Sequence, residues 1–311
     1  MRFTPLIESG LEISGEDIAA VFRPFVSRFV NNGDPEWCAE IQRRKRKILR
    51  KYLAQLFLGW MPAKQRREST VSEEYSKAWQ ADEYAKYSLT VPPPRLKPWE
   101  WRGRHMFASD IGAVRFRQLL LSRVVEQVKP RSVLEVGCGN GINLLLLACR
   151  YPEIEFTGIE LTQQGHQAAV KLQKLATLPQ PMQDYAPLPL VDPTAFRRIR
   201  FLQGNAICLP FGDRSIDLVF TVLAVEQMER VRHQALQEIA RVVRRHILMI
   251  EPFRDVNDSG WPRRNVIRRN YFRGRIANLS GYGFRPLLAI RDFPQEVFLK
   301  VCAVLAEREA G

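Results

Sequence analysis

Apolar positions follow two regimes along this chain. From about residue 110 onward, short runs of apolar or β-branched residues alternate with longer stretches of helical periodicity. The runs SVLEV (132–136), EFTGIE (155–160), IRFLQ (199–203), IDLVFTV (216–222) and HILMIE (246–251) each predict a strand. Strands separated by helices imply a parallel sheet, with right-handed crossovers placing helices on both faces and ligands at the carboxyl ends of the strands. The closing stretch PLLAIRDFPQEVFLKVCAVLAE predicts two more strands around a turn, an antiparallel hairpin at the sheet edge. The expected fold class is α/β: a doubly wound, mostly parallel seven-stranded sheet with an N-terminal helical extension.

The first 90 residues read as helical. Ser14 and Asp17 have capping-box spacing, and Pro24 interrupts the helical pattern shortly after them. Ile41, Ile48, Leu49, Tyr52, Leu53, Leu56, Phe57 and Trp60 recur at helical spacing, opposite most of the basic residues of that stretch. VPPPRLKPWEW (91–101) is expected to be a stiff, extended connector, because each proline fixes its own φ and biases the residue before it away from helix. The organisation expected is a basic helical extension over 1–90, a proline-rich connector over 91–110 and the α/β domain over 111–311. Within that domain, 178–193 carries five prolines and reads as an inserted surface loop.

Composition adds a partner class. The net charge of +14 is uneven: residues 125–255 hold 15 Lys/Arg against 14 Asp/Glu, so the excess lies in the flanks. RRKRKILRK (43–51), continuing to KQRR (64–67), and RRNVIRRNYFRGR (263–275) dominate it. Such clusters over 43–67 and 263–275 suit an anionic partner, RNA or a membrane surface, or else form a solvated helix face. The five cysteines form no C-x-x-C pair and no apolar run is long enough to span a bilayer, so a cytoplasmic protein is expected, with peripheral membrane attachment an alternative. Four scattered histidines form no metal pattern.

The candidate chemistry lies in VLEVGCGNG (133–141). Gly137, Gly139 and Gly141 follow a strand and precede a helix, where glycine allows a sharp turn and close approach of a ligand to the backbone. The residue three after Gly139 is Ile142, which departs from the dinucleotide pattern, and Glu135 would set a carboxylate against a pyrophosphate. S-adenosylmethionine carries an ammonium and a sulfonium instead, which a carboxylate favours. Glu160, about twenty residues past the glycines, ends the second strand where it can accept both ribose hydroxyls.

LEVGCGNG, GIEL, GNAICLPFGDRSIDLVFTVLAVEQM and ILMIEPF resemble the successive motifs of class I S-adenosylmethionine-dependent methyltransferases of the small-molecule, ubiquinone-methylase-like type. The resemblance covers about residues 125–255. It implies a methionine site at Glu135, Gly137, Cys138 and Gly139, a ribose site at Glu160, and Leu161 beside the adenine. It further implies that Asn205 and Ala206 read the adenine edge and that Leu223 lines the methionine end. Gln227 stands where relatives carry His, so a base role there is not carried over. The segment 75–88 resembles an N-terminal lid, with Tyr84 and then Trp79 as the closing aromatic. Methyl transfer from a sulfonium is a direct displacement that chiefly needs alignment and exclusion of water. Where a base is needed, His105, Tyr84, Glu226 and Glu251 are the candidates. The acceptor implied is a small molecule, lipid or sugar. The alternatives are an RNA methyltransferase gripping phosphates through the basic clusters and a non-catalytic cofactor-binding interaction module.

Overall fold

The computed structural model describes residues 2–57, 83–90, 95–269 and 271–309. Trp79, Trp60 and the basic segment 64–67 lie outside the described residues. The main sheet has seven strands: β4 (Ser132–Val136), β5 (Glu155–Glu160), β6 (Arg200–Gln203), β7 (Ile216–Val222), β8 (Val243–Glu251), β9 (Phe284–Ile290) and β11 (Cys302–Arg308), in the order β6-β5-β4-β7-β8-β11-β9. The first five are mutually parallel, and β11 runs antiparallel to both β8 and β9. The C-terminal strands therefore pair as expected, but the last one inserts inside the sheet and leaves β9 at the edge.

Both faces of this sheet are covered, and the residues alternate between two cores. Val133, Leu218, Phe220, Leu248 and Ile250 face one apolar cluster, while Leu134, Val136, Val219, Ile247 and Met249 face the other. Near-continuous apolar strands are what two covered faces require. The first cluster includes helices α3 (Asp110–Val128) and α4 (Ile142–Arg150), and the second includes α7 (Arg232–Val242).

The N-terminal region departs from an all-helical extension. Helix α1 (Gly15–Phe22) has the expected capping box, with Asp17 N–H donating to Ser14 Oγ at 3.1 Å. After Pro24 the chain turns into strand β1 (Val26–Val30), and helix α2 (Pro35–Phe57) comes next. The connector is also not simply extended. Lys97–Trp101 and Arg104–Ala108 form an antiparallel hairpin, β2 and β3, closed by Arg102 and Gly103. Both turn residues have positive φ, 46° and 73°, the geometry that matches the twist of a two-residue hairpin. With the short strand β10 (Gln295–Glu296) they build a second sheet, ordered β1-β3-β2-β10. This unit packs on the main domain: the Phe22 ring centroid lies 5.5 Å from Trp99 and 5.8 Å from Phe116 of α3.

The 178–193 insert is not a solvated loop either. It contains helix α6 (Gln180–Tyr185), and Leu178, Met182 and Tyr185 are fully buried. The Tyr185 hydroxyl donates to the Ile111 carbonyl at 2.6 Å, tying the insert to the start of α3. Proline restricts the backbone without preventing its apolar neighbours from packing.

Candidate functional site

The site is built where β4 stops. Gly137, Gly139 and Gly141 all have positive φ, and a Cβ on Gly137 would lie 2.6 Å from the Ala224 Cβ. The loop is fastened to the neighbouring strand: the Gly137 and Cys138 N–H groups both donate to the Ile159 carbonyl, at 2.9 and 3.1 Å. Gly139 N–H donates to Glu160 Oε2 at 2.9 Å. The other oxygen of Glu160 accepts from Thr162 N–H at 2.9 Å and from its hydroxyl at 2.6 Å. Glu160 thereby shapes the glycine loop and aligns the start of helix α5 (Gln163–Gln173), which Thr162 caps.

Glu135 is 1% exposed and held by a chain of side-chain amides. Gln118 donates to Asn143 Oδ1 at 2.9 Å, and Asn143 Nδ2 donates to Glu135 Oε1 at 2.6 Å. Oε2 is buried with no hydrogen-bond partner among the described residues. Burial pushes this carboxyl well above the ordinary carboxylate range, and the amide of Asn143 only partly opposes that.

The opposite wall is the turn after β7. Leu223 adopts φ +53°, a left-handed conformation that costs a non-glycine residue about 1 kcal/mol or more. The turn is braced from β8: Glu251 Oε1 accepts from the Ala224 and Val225 N–H groups at 3.0 and 3.1 Å, and Oε2 accepts from Glu226 N–H at 3.3 Å. Burial raises the Glu251 carboxyl to about 7 against the pull of these N–H groups. Its oxygens are occupied by backbone, so its part is to position Leu223 and Ala224.

Between these walls lies a cavity of about 500 Å³, and Glu135, Gly137, Cys138, Gly139, Glu160, Leu161, Asn205, Ala206 and Leu223 all line it. Asn205 Oδ1 accepts from Ile207 N–H at 3.2 Å, which orients the amide from within its own loop.

The expected acid–base candidates are not brought into this lining. The Tyr84 hydroxyl donates to the Asn140 carbonyl at 3.2 Å and to the Ala168 carbonyl, so it latches the glycine loop from outside the cavity. His105 stacks on Trp37 with centroids 4.9 Å apart and lines a separate surface depression with Glu100 and Lys300. Glu226 is buried outside the lining. Its Oε1 accepts from Gln227 Nε2 at 2.7 Å, its Oε2 has no partner among the described residues, and burial, reinforced by Glu251, pushes it up to about 8.

Among the lining residues that escape sequence reasoning, two are polar groups of note. Tyr87 closes the cavity beside Asn140, whose amide reaches its hydroxyl at 3.5 Å. Its only signal is membership of the aromatic segment 75–88. Arg117 enters from α3. Its Nε is shielded from solvent and has no hydrogen-bond partner among the described residues. Burial lowers its pKa, while Glu296, Glu226, Asp110 and Glu251 attract it through space. Nothing in RFRQLLLSR separates this arginine from a solvated one. The cavity thus has a carboxyl oxygen, Glu135 Oε2, and a guanidinium nitrogen, Arg117 Nε, without hydrogen-bond partners among the described residues, groups suited to a zwitterion.

Residues 134–249 match a family described as "Methyltransferase domain". Among curated proteins, the chain is similar to O-methyltransferase rstn1 of Aspergillus nomiae, 29% identical over 120 residues that cover 39% of this chain and 45% of that protein. It is also similar to a fatty-acid O-methyltransferase of Mycolicibacterium smegmatis, 30% identical over 117 residues, 38% of this chain and 35% of that protein. The match spans less than half the length of each of these curated relatives. Among solved structures, the [4+2]-cyclase SpnF superposes with a TM-score of 0.51 at 17% identity, covering 78% of this chain and 97% of that one.

Proposed function

We propose that this chain, whose residues 134–249 match the methyltransferase domain family, is a class I S-adenosylmethionine-dependent methyltransferase that transfers a methyl group to an oxygen of a small-molecule or lipid acceptor. The observation that carries the reading is a pair of buried atoms at the cavity without hydrogen-bond partners among the described residues, Glu135 Oε2 and Arg117 Nε. S-adenosylmethionine bears an ammonium and a carboxylate on its methionine end, and these two side chains complement it. Glu160, whose Oε1 is engaged by Thr162, would take a ribose hydroxyl at Oε2 while that oxygen keeps the glycine loop closed, and Leu161 and the Ala206 backbone would hold the adenine. Asn205 presents its amide to the adenine edge. Leu223, held in its left-handed conformation by the Glu251 brace, fixes the wall on the methionine side.

When bound, the cofactor supplies a sulfonium-activated methyl group. The protein's own work is alignment and exclusion of water, to which Tyr87, Val114, Met228 and Val231 contribute apolar surface in the lining. The names of the relatives favour oxygen as the acceptor atom.

The test is incubation of the purified chain with methyl-labelled S-adenosylmethionine and a cell extract, then separation into RNA, organic-soluble, small aqueous and protein fractions. Label is expected in the organic-soluble or small aqueous fraction, released again by the hydrolysis that cleaves methyl esters or ethers. Label confined to RNA or protein would overturn the acceptor class. Intact S-adenosylhomocysteine binding with no label in any fraction would overturn transfer itself, since the same fold also serves a cyclase.

A further inference from the structure

The 43–51 and 263–275 parts of the two basic clusters lie far apart in the chain, yet they meet in the fold. Helix α2 packs along helix α8 (Gly260–Arg269). Lys45 Nζ and the Arg264 guanidinium both approach the Trp261 ring, at 5.6 and 4.9 Å from its centroid. Arg43, Lys47 and Lys51 succeed one another at four-residue intervals and so share a stripe of α2. Lys47 sits in the combined field of Lys51, Arg268, Arg43 and Arg95, which together push its ammonium below the usual lysine range. A second knot adjoins the first across α8. There Arg263, partly buried, feels Arg254, Arg273 and Arg275, and the Nε of Arg254 has no partner among the described residues. Two acids near this face are already engaged: Glu40 pairs with Arg43 and Arg44, and Asp255 accepts from Ile276 N–H. Like charges gathered in this way destabilise the free protein and are relieved by an external anion.

We propose that the joined face of α2 and α8 docks the protein onto an anionic phospholipid surface. Leu49 and Leu53 are the i+3 neighbours of Arg46 and Arg50 on α2, across that pair from the Arg43–Lys47–Lys51 stripe, and with Leu96 beside Arg95 they are each 40% exposed. Apolar side chains flanked by Lys and Arg suit a headgroup boundary, where the leucines enter the acyl region and the cations meet phosphates. A single-stranded nucleic acid asks instead for open aromatic platforms. On this face Trp261 is occupied by Lys45 and Arg264, and the exposed apolar groups are aliphatic. This inference is independent of methyl transfer.

The experiment is co-sedimentation of the full chain with vesicles of phosphatidylcholine alone and of phosphatidylcholine mixed with phosphatidylserine, across a salt series, with polyuridylate as a competitor. The wild type is expected to sediment with the mixed vesicles and not with the neutral ones, with binding weakening as salt rises. Lys47→Gln, Arg50→Gln and Lys51→Gln combined should weaken partitioning by at least about tenfold, since each basic group contributes measurably near an anionic surface. Leu49→Ser with Leu53→Ser should remove the part of binding that survives salt. Unchanged S-adenosylhomocysteine affinity and an unchanged melting curve confirm that the variants are folded, and the wild-type salt series decides the matter without any variant. Failure of the wild type to sediment with anionic vesicles overturns the proposal. So does tight binding of polyuridylate without vesicle binding, which would reassign the face to nucleic acid.

Discussion

Replacing Glu135 with Gln isolates one charge at the heart of the cavity. Glutamine keeps the length of the side chain, and its amide oxygen still accepts from Asn143, so the chain of amides from Gln118 survives. At the position of the oxygen that has no protein partner among the described residues, the variant replaces a carboxylate acceptor with a neutral NH2 donor, which cannot pair with an ammonium. A charge-assisted hydrogen bond contributes about 1.5–3 kcal/mol net, which corresponds to about a 10- to 150-fold change in Kd. Burial raises the pKa of the wild-type carboxyl in the free protein, and an ammonium placed against it lowers that pKa. Binding therefore releases protons over the pH interval between the free and the bound value. The affinity of the wild type should climb with pH until the free carboxyl is itself ionised, and then level off, while that of the Gln variant should be flat over the same range. Calorimetric titration of S-adenosylhomocysteine in two buffers of different ionisation enthalpy measures affinity and proton release together. Equal affinity in wild type and variant, or the same proton release in both, would refute the pairing of Glu135 with the ligand's ammonium.

Glu160→Ala is expected to weaken S-adenosylhomocysteine by about 1–3 kcal/mol, and to increase the protease sensitivity of the loop at Gly139, whose N–H loses its acceptor. Gly137→Ala should abolish measurable binding in the same titration and lower stability by about 1–3 kcal/mol in urea melts, because the position has φ +78° and the new Cβ would lie 2.6 Å from Ala224. The folded-state pKa of Glu226 is raised from 4.5 to about 8, so its contribution to stability is complete below the first value and is lost as pH rises through the second. Glu226→Gln should remove that alkaline loss, which urea melts at a series of pH values would reveal as a shallower decline.

The α/β domain was legible because its strands are short apolar runs bounded by polar turns, and because GCGNG ends one of them. Strand β11 kept its direction but not its place, since insertion between β8 and β9 depends on pairing partners that a local pattern does not encode. β1 was hidden behind Pro24, and the hairpin β2–β3 behind Pro98. That proline sits beside Trp99, whose 2% exposure shows how strongly packing can override a local bias. Prolines likewise disguised the buried insert around Tyr185. In the cavity, the glycines and terminal carboxylates announced themselves by position along the strands. Arg117 did not, since a cation within an apolar helix carries no mark of the face it will take. His105 and Glu226 lie outside the cavity lining for the complementary reason: proximity to a strand end in sequence does not decide which way a side chain turns.

Strand β10 belongs to the small sheet, yet it is cut from the loop between the last two strands of the large one. Lys97 and Glu296, bonded at 3.1 Å, are 199 residues apart, and Glu296 also lies 3.9 Å from Arg44 of α2. During synthesis, strands β1 to β3 emerge well before β10, so the small sheet cannot acquire its fourth strand until residue 296 has left the ribosome. For most of that interval Lys97 lacks this partner and the edge of β2 is open, an exposed edge of the kind that invites pairing with another chain. The same stretch of chain then delivers β11 into the gap beside β8, so both sheets are completed by one late event. Contacts of such long sequence separation slow folding. A nascent chain stalled before residue 295 would therefore hold the glycine loop and the strands around it in a domain with two unfinished edges, and aggregation would be its characteristic failure.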